Sequence, residues 1–520
     1  MLARVLVVAL LSACGTRAVV APPAAPAPPR LVVLLVLDQW PEWAFEAKRT
    51  SLRGGGFERL LGEGAWHVGE HPSAATLTGP GHALLSSGEP PARSGIVANE
   101  WFHRTLGRRL QAVEEVNGSR SAVWLRVPGL GDSIAQMNTG AKAVAVSLKE
   151  RSAILSLGHS GLALWYDRKQ AAFTGQHAPA WLHALARTHP IGPRMHKAWT
   201  PLDPTDLATR GRDDQPGELG EKGFGPTFPH APDATGDAAD AVFAQPLGNT
   251  LVLEAARAAI VGEQLGADAS PDLLALSLSA HDYIGHGWGQ ESWEMWDATR
   301  RLDRELGAFL AELDAQVGSG RWAMIVTSDH GASPLPELGG RGGGRLTFEA
   351  IHAVANRAAE AVLGPGAWIV DAKYPSIYFA PALSEQPATA RERAITAVVS
   401  AVREMRGIAR VERTRDLAGE CERRTGDDRR ICLAIDPERS GDLIYVPQRY
   451  WITQEAHEPL ATAHGSIHDY DREVPVLLLA PGRSRHAPLE QPEPSPYPMT
   501  RIAPTLAGWL GVSAPSSLRR

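Results

Sequence analysis

The chain is poor in cysteine, with three in 520 residues, and one of these, Cys14, sits in an N-terminal leader. The other two, Cys421 and Cys432, flank a charged stretch (422–430) with no His or Cys partner nearby, which argues against a thiolate metal centre. In an oxidising compartment so close a pair reads as a local disulfide pinning a surface loop, worth roughly 3 kcal/mol by loop closure. Excess charge is lacking too: 52 Lys and Arg against 58 Asp and Glu leave a net charge of −6 without a basic tract. Nothing there predicts nucleic acid as a partner. The early apolar run Val5–Leu11 is too short to cross a bilayer as a helix. No internal repeat is visible.

What is present begins with targeting. Arg4, the run Val5–Leu11 and Leu11-Ser12-Ala13-Cys14 read as a signal peptide over residues 1–13, ending in a motif that looks like a bacterial lipobox. Cys14 would then be lipidated and supply the sole membrane contact. The Ala/Pro-rich stretch 14–30 reads as an extended linker. An exported enzyme, periplasmic or at the cell surface and anchored on a stalk, is the expectation.

With 44% hydrophobic and 21% charged residues, the remainder is an ordinary globular composition. Leu31–Leu37 is continuously apolar and rich in valine, the pattern of a strand buried on both faces. Ala143–Leu148, Asp272–Leu278 and Ala323–Thr327 repeat it, and helix-like stretches such as 250–261 and 293–313 lie between. Strands alternating with helices predict an α/β fold, a central mostly parallel sheet with helices on both faces. One such domain spans 31–513. Two segments, at about 188–249 and 383–451, read as insertions; a helix at 391–405 in the second would pack through Ile395, Val398, Val399 and Val402. Val474–Ala480 is expected to add a strand, and a last helix opens at Thr500–Leu506.

In such sheets ligands bind beyond the carboxyl ends of the strands. Four runs end there in polar groups: Asp38-Gln39, Lys149-Glu150-Arg151, His281-Asp282 and Asp329-His330. Four such endings point to a shared site more strongly than to four independent caps. Asp282 and His286 fall on one face of a helix. With Asp38, Asp329, His330 and His464 they form a carboxylate/imidazole set suited to zinc. Six ligands suffice for two ions if a hydroxyl and substrate oxygens complete the shells. The hydroxyl lies in Ser73-Ala74-Ala75-Thr76-Leu77-Thr78-Gly79-Pro80-Gly81-His82, where a turn opens a helix whose free N–H groups favour negative charge. On the residues alone Ser73, Thr76 and Thr78 all remain candidates.

Thr78-Gly79-Pro80-Gly81-His82, Asn99-Glu100-Trp101, Ser147-Leu148-Lys149-Glu150-Arg151, His281-Asp282-Tyr283-Ile284-Gly285-His286 and Thr327-Ser328-Asp329-His330-Gly331 resemble the alkaline phosphatase superfamily. The likeness is strongest to its phosphate-irrepressible (PafA-type) bacterial branch. It implies two Zn2+ per chain, one held by Asp282, His286 and His464, the other by Asp38, Asp329, His330 and Thr78. It makes Thr78 a nucleophile that passes through a phosphothreonine, with Asn99, Lys149 and Arg151 on the phosphate oxygens. The implied activity is hydrolysis of small-molecule phosphate monoesters. Charge supports it: two divalent cations against three aspartates and a Thr78 alkoxide leave the site near neutral. Lys149 and Arg151 then match a monoester dianion better than a diester monoanion. The competing readings are a phosphodiesterase or nucleotide pyrophosphatase of the same superfamily, a phosphoryl transferase, and a non-catalytic metal-binding envelope lipoprotein. A sulfatase is disfavoured, because no Cys/Ser-x-Pro-x-Arg segment is present. Beside these residues, His71, His82 and His281 are candidates for orienting ligands, and Trp101 for lining the substrate side. Tyr283 and Trp288 read as packing residues, and His468, Asp469 and Asp471 as a solvated loop.

Overall fold

The computed structural model describes residues 28–518 except 138–139, 233–236, 339–341 and 482–495. The signal peptide, Cys14 and nearly all of the linker lie outside the described residues. Among the described residues no helix is long and apolar enough to cross a membrane.

A nine-stranded sheet organises the chain. Its order is Tyr497–Pro498, Ala65–Glu70, Glu473–Leu479, Trp322–Thr327, Leu31–Leu37, Asp272–Leu278, Ala143–Ser147, Leu162–Asp167 and Ala172–Gly175. The five strands from Trp322 to Asp167 run parallel. Both flanks turn antiparallel: Glu473–Leu479 pairs that way with Trp322–Thr327, and Leu162–Asp167 with Ala172–Gly175.

The central strand Leu31–Leu37 is buried at every position, as its unbroken apolar run requires. Because side chains alternate across a strand, Leu31, Val33, Leu35 and Leu37 enter one core with the helices Leu247–Gly262 and Trp293–Leu313. Val32, Leu34 and Val36 enter the other, with the helices Thr78–Ser87 and Ile502–Leu510. Trp293–Leu313 is the helix its apolar spacing predicts, capped by Ser292, whose hydroxyl accepts from Met295 N–H at 3.1 Å.

The later insertion is larger than its sequence suggests. A separate four-stranded sheet joins Ile369–Asp371, Ser376–Phe379, Leu443–Pro447 and Ile408–Arg413, so it begins before residue 383. The helix Phe348–Leu363 packs on it through Ile351, Ala355 and Ala359. The expected second helix runs Ala388–Arg403 and buries Ala394, Val398 and Val402, with Ile395 and Val399 at its margin. Cys421 and Cys432 form a disulfide with Cα atoms 5.6 Å apart.

Candidate active site

Strand register assembles the site. Leu37 pairs with Leu278, Val36 with Thr327 and Ser147 with Ser277, so four adjacent parallel strands end nearly level. The residues that follow, Asp38, Lys149, His281-Asp282 and Ser328-Asp329-His330, leave the sheet at one edge. Ser328 ties two of these exits together: Oγ accepts from Trp40 N–H at 2.9 Å and lies 2.6 Å from the carbonyls of Leu37 and His330. His464 arrives from a distant loop that is sewn down on both sides. Ala461 N–H donates to His286 O at 2.7 Å, and Thr76 Oγ1 donates to Ser466 O at 2.9 Å.

The ligand atoms converge in two trios. Asp282, His286 and His464 bring their atoms within 4.8 Å of one another, and so do Asp38, Asp282 and His330. The first trio is the expected set. In the second Asp282 stands where Asp329 was expected, while Asp329 Oδ2 remains 3.5 Å from His330 Nε2. All three imidazoles are oriented alike: Nδ1 of His286, His330 and His464 bonds the carbonyls of Thr462 (2.8 Å), Gly331 (3.0 Å) and Thr76 (2.9 Å). With a proton on each Nδ1, Nε2 faces the carboxylates and can hold either a second proton or a metal ion, the arrangement of metal-binding histidines. Asp38 Oδ1 and Asp329 Oδ2 are buried without accepting a hydrogen bond. The nearest donor to the latter, His82 Nδ1 at 3.1 Å, also lies 3.0 Å from Thr78 O. Buried acceptors of this kind are costly unless a proton or cation meets them. The donor set therefore fits divalent metal.

Within the chain the carboxylates are balanced by Lys149, whose Nζ lies 2.7 Å from Asp38 Oδ2 and 2.6 Å from Asp282 Oδ2. Lys149 thus reaches the ligand carboxylates themselves, closer in than a contact to phosphate alone requires. Burial and the neighbouring Asp329 raise the Asp38 carboxyl above its ordinary value. Burial would raise Asp282 too, but His286 and Lys149 hold it well below. Burial opposes charge on His330, yet Asp329 and Asp38 push it up to about 9. His464 falls to about 3 through burial and the positive His330 ring stacked 3.6 Å away.

Geometry also separates the three hydroxyls. Thr76 Oγ1 is committed to Ser466 O, and Ser73 Oγ accepts from Ala75 N–H at 3.4 Å. Thr78 Oγ1 instead faces the ligands, 3.4 Å from His330 Nε2, at the first position of the helix Thr78–Ser87. The free N–H groups of that turn and its dipole favour an anion there. Asn99 Oδ1 accepts from Gly79 N–H at 2.7 Å, which leaves its Nδ2 donor for another acceptor. Arg151 has a buried Nε without a hydrogen bond and no carboxylate partner among the described residues. It lies near enough to Lys149 for the two cations to repel.

The helix is pressed onto the Asp329-His330 turn. A Cβ on Gly81 would overlap the carbonyl of Asp329. Alanine for glycine inside a helix ordinarily gains about 1 kcal/mol, whereas overpacking costs about 1–3 kcal/mol. Gly81→Ala is therefore expected to lower kcat about 100-fold by displacing Thr78 from Asp329 and His330. Steady-state kinetics beside a thermal melt checks this.

The supporting residues divide. His281 Nδ1 bonds Asp38 O at 3.1 Å and His71 Nε2 bonds Ser328 O at 3.2 Å, so both hold backbone that carries candidate ligands. Burial lowers each to about 4, which keeps both rings neutral. Trp288 is buried in a packed cluster as expected. Tyr283 packs only in part: its ring lies 5.1 Å from Lys149 Nζ, and its hydroxyl accepts from Arg168 at 3.1 Å. Two expectations fail. Trp101 does not line the site; it is buried against Trp124 under the Arg439 guanidinium. Asp471 is not solvated; it is buried and accepts from the N–H of Ser466 at 2.7 Å and from its hydroxyl at 2.5 Å, fixing the loop that carries His464. Gln39, assigned no role beyond its place at a strand end, donates through its amide to Asp282 Oδ1 at 2.8 Å.

Known proteins share this arrangement of chain. The family profile for type I phosphodiesterase / nucleotide pyrophosphatase matches residues 32–471. Alkaline phosphatase PhoV of Synechococcus elongatus is 34% identical over 59% of this chain and 60% of its own length. Alkaline phosphatase PafA of Elizabethkingia meningoseptica is 28% identical over 94% of this chain and 92% of its own. The crystal structure of wild-type PafA superimposes with a TM-score of 0.84 at 26% identity, covering 96% of this chain and 98% of that one.

Proposed function

The chain belongs to the type I phosphodiesterase / nucleotide pyrophosphatase family, as an alkaline phosphatase of the PafA type, and from that premise we propose that it is a two-zinc phosphomonoesterase using Thr78 as nucleophile. The observation that carries this reading is convergence: Thr78 Oγ1, two carboxylate/imidazole trios and the Lys149/Arg151 pair meet at one edge of the sheet. Asp282, His286 and His464 would hold one ion, and Asp38, Asp329, His330 and Thr78 the other. When bound, the ions supply Lewis acidity that favours the Thr78 alkoxide and the departing oxygen.

The chain's own groups account for the rest. The helix N-terminus at Thr78 and the Asn99 amide receive non-bridging phosphate oxygens, and Arg151 offers a planar fork to two of them. Lys149, shared among Asp38, Asp282 and substrate, adds positive charge where a monoester carries its second negative charge. Thr78 displaces the alcohol and takes up the phosphoryl group; water then displaces Thr78 and releases inorganic phosphate.

A diesterase is the competing reading, favoured by the name of the family profile. A simple aryl monoester assayed against its methyl diester separates the two. We expect kcat/KM for the monoester to exceed that for the diester by orders of magnitude; a preference for the diester would sink the monoesterase reading. Chelation is expected to abolish activity and zinc to restore it, with two ions per chain by elemental analysis. Fewer than one would refute the two-zinc site.

Export completes the proposal. The leader through Cys14 carries it, and the Cys421–Cys432 disulfide fits an oxidising compartment. The enzyme would act on small phosphate esters outside the cytoplasm, tethered by lipid at Cys14.

A further inference from the structure

Gln39 is a buried, uncharged residue in a backbone conformation that glutamine disfavours, with φ at +62°. Left-handed geometry is unfavourable for a residue with a Cβ, and such strain persists only where the surroundings impose it. Here the reversal turns both nitrogen donors of one residue toward different ligand carboxylates. The side-chain amide donates to Asp282 Oδ1 at 2.8 Å, and the backbone N–H faces Asp329 Oδ1 at 3.4 Å. Asp282 Oδ1 is the oxygen nearest His286 Nε2 (3.2 Å) and His464 Nε2 (3.5 Å), so the amide holds the carboxylate at the centre of the first trio.

Gln39 is itself held. Its carbonyl and Oε1 accept from Gln290 Nε2 at 2.9 and 3.2 Å, and Gln290 O accepts from the buried Lys48 ammonium at 2.6 Å. That network fixes the amide with Nε2 toward Asp282. The facing helix makes room for it: a Cβ on Gly285 would overlap Gln39 Oε1. Gly285 and Gln39 are thus matched, one lacking the atom that the other's amide displaces.

We infer that Gln39 is a positioning residue that sets the affinity of the Asp282/His286/His464 site for its ion, with Gly285 as its steric complement. A neutral donor suits this place, because it fixes the orientation of Asp282 without competing, as a cation does, with metal for the carboxylate. The inference rests on the two-zinc reading.

Gln39→Asn tests it without confusing position with folding. Asparagine tolerates a positive φ better than glutamine, but its amide is one methylene too short to reach Asp282. Zinc content is read after equilibrium dialysis against chelator-buffered zinc, beside the thermal midpoint of the zinc-free protein. The parent should bind two ions. Gln39→Asn should keep one at parental affinity and bind the other about 10- to 100-fold more weakly, with no fall in the zinc-free midpoint. Gly285→Ala, which displaces the amide from the opposite side, should reproduce the loss at the same single site. Affinities within twofold of the parent at both sites, equal losses at both, or a change confined to the thermal midpoint would overturn the inference. A parent holding fewer than one zinc would instead overturn the two-zinc reading.

Discussion

Thr78→Ala is expected to keep its fold and most of its zinc, through Asp38, Asp329 and His330, while kcat for an aryl phosphate falls at least about 1,000-fold. Thr78 is the first residue of its helix and its hydroxyl makes no hydrogen bond that holds the fold together; its nearest side-chain partner is His330 Nε2 at 3.4 Å. Alanine suits a helix better than threonine, so the backbone donors of the turn and the pressed contact at Gly81 stay in place. What disappears is the atom that would bond to phosphorus. Thr78→Ser, which retains a hydroxyl, should recover most of the lost rate. Activity within tenfold of the parent in Thr78→Ala would remove the nucleophile from this account, and a matching loss of zinc would make Thr78 a structural ligand.

Changing Lys149 and Arg151 together to alanine is expected to reduce monoester kcat/KM by at least about 100-fold more than diester kcat/KM. The reason is charge: the pair supplies two positive charges, and a monoester dianion carries one more negative charge than a diester. A complication lies in Lys149 itself, which is buried between Asp38 and Asp282. Removing one partner of a buried ion pair costs about 3–5 kcal/mol, so zinc-free Lys149→Ala should be markedly less stable than the parent. The comparison therefore belongs on zinc-loaded protein, where divalent cations replace the lost charge. Arg151→Ala should weaken monoester hydrolysis without that loss of stability, because among the described residues Arg151 has no carboxylate partner to orphan. Equal losses on the two substrate classes would refute the charge-matching argument.

Much of this candidate site could be read from sequence because its candidate ligands sit where a chemical signal and a structural one coincide. Asp38, Asp282, Asp329 and His330 each follow a short apolar run, and level strand ends turn that pattern into proximity. The helix Trp293–Leu313 was legible from its apolar spacing alone. Strand direction was not: Glu473–Leu479 is as apolar as the parallel strands, yet it enters the sheet antiparallel. The limits of the later insertion were hidden for a similar reason, since Phe348–Leu363 has the amphipathic pattern of any core helix. Asp471 looked solvated beside His468 and Asp469, because the Ser466 hydroxyl and N–H that compensate its burial become partners only in the folded loop. Trp101 follows Asn99 by two residues, but it points into the protein against Trp124. Gln39 showed only as a polar residue at a strand end; its contact was hidden, because an amide shows neither charge nor nucleophilicity and its positive φ leaves no trace in composition.

The phosphothreonine step is the centre of the account, and the stereochemical course at phosphorus tests it most directly. A monoester made chiral at phosphorus with oxygen isotopes is transferred by the zinc-loaded enzyme to an alcohol acceptor, and the configuration of the product is read by phosphorus NMR. Two successive in-line displacements, first by Thr78 and then by the acceptor, predict net retention. Net inversion would mean that the acceptor attacks the substrate directly, and Thr78 would not be the nucleophile.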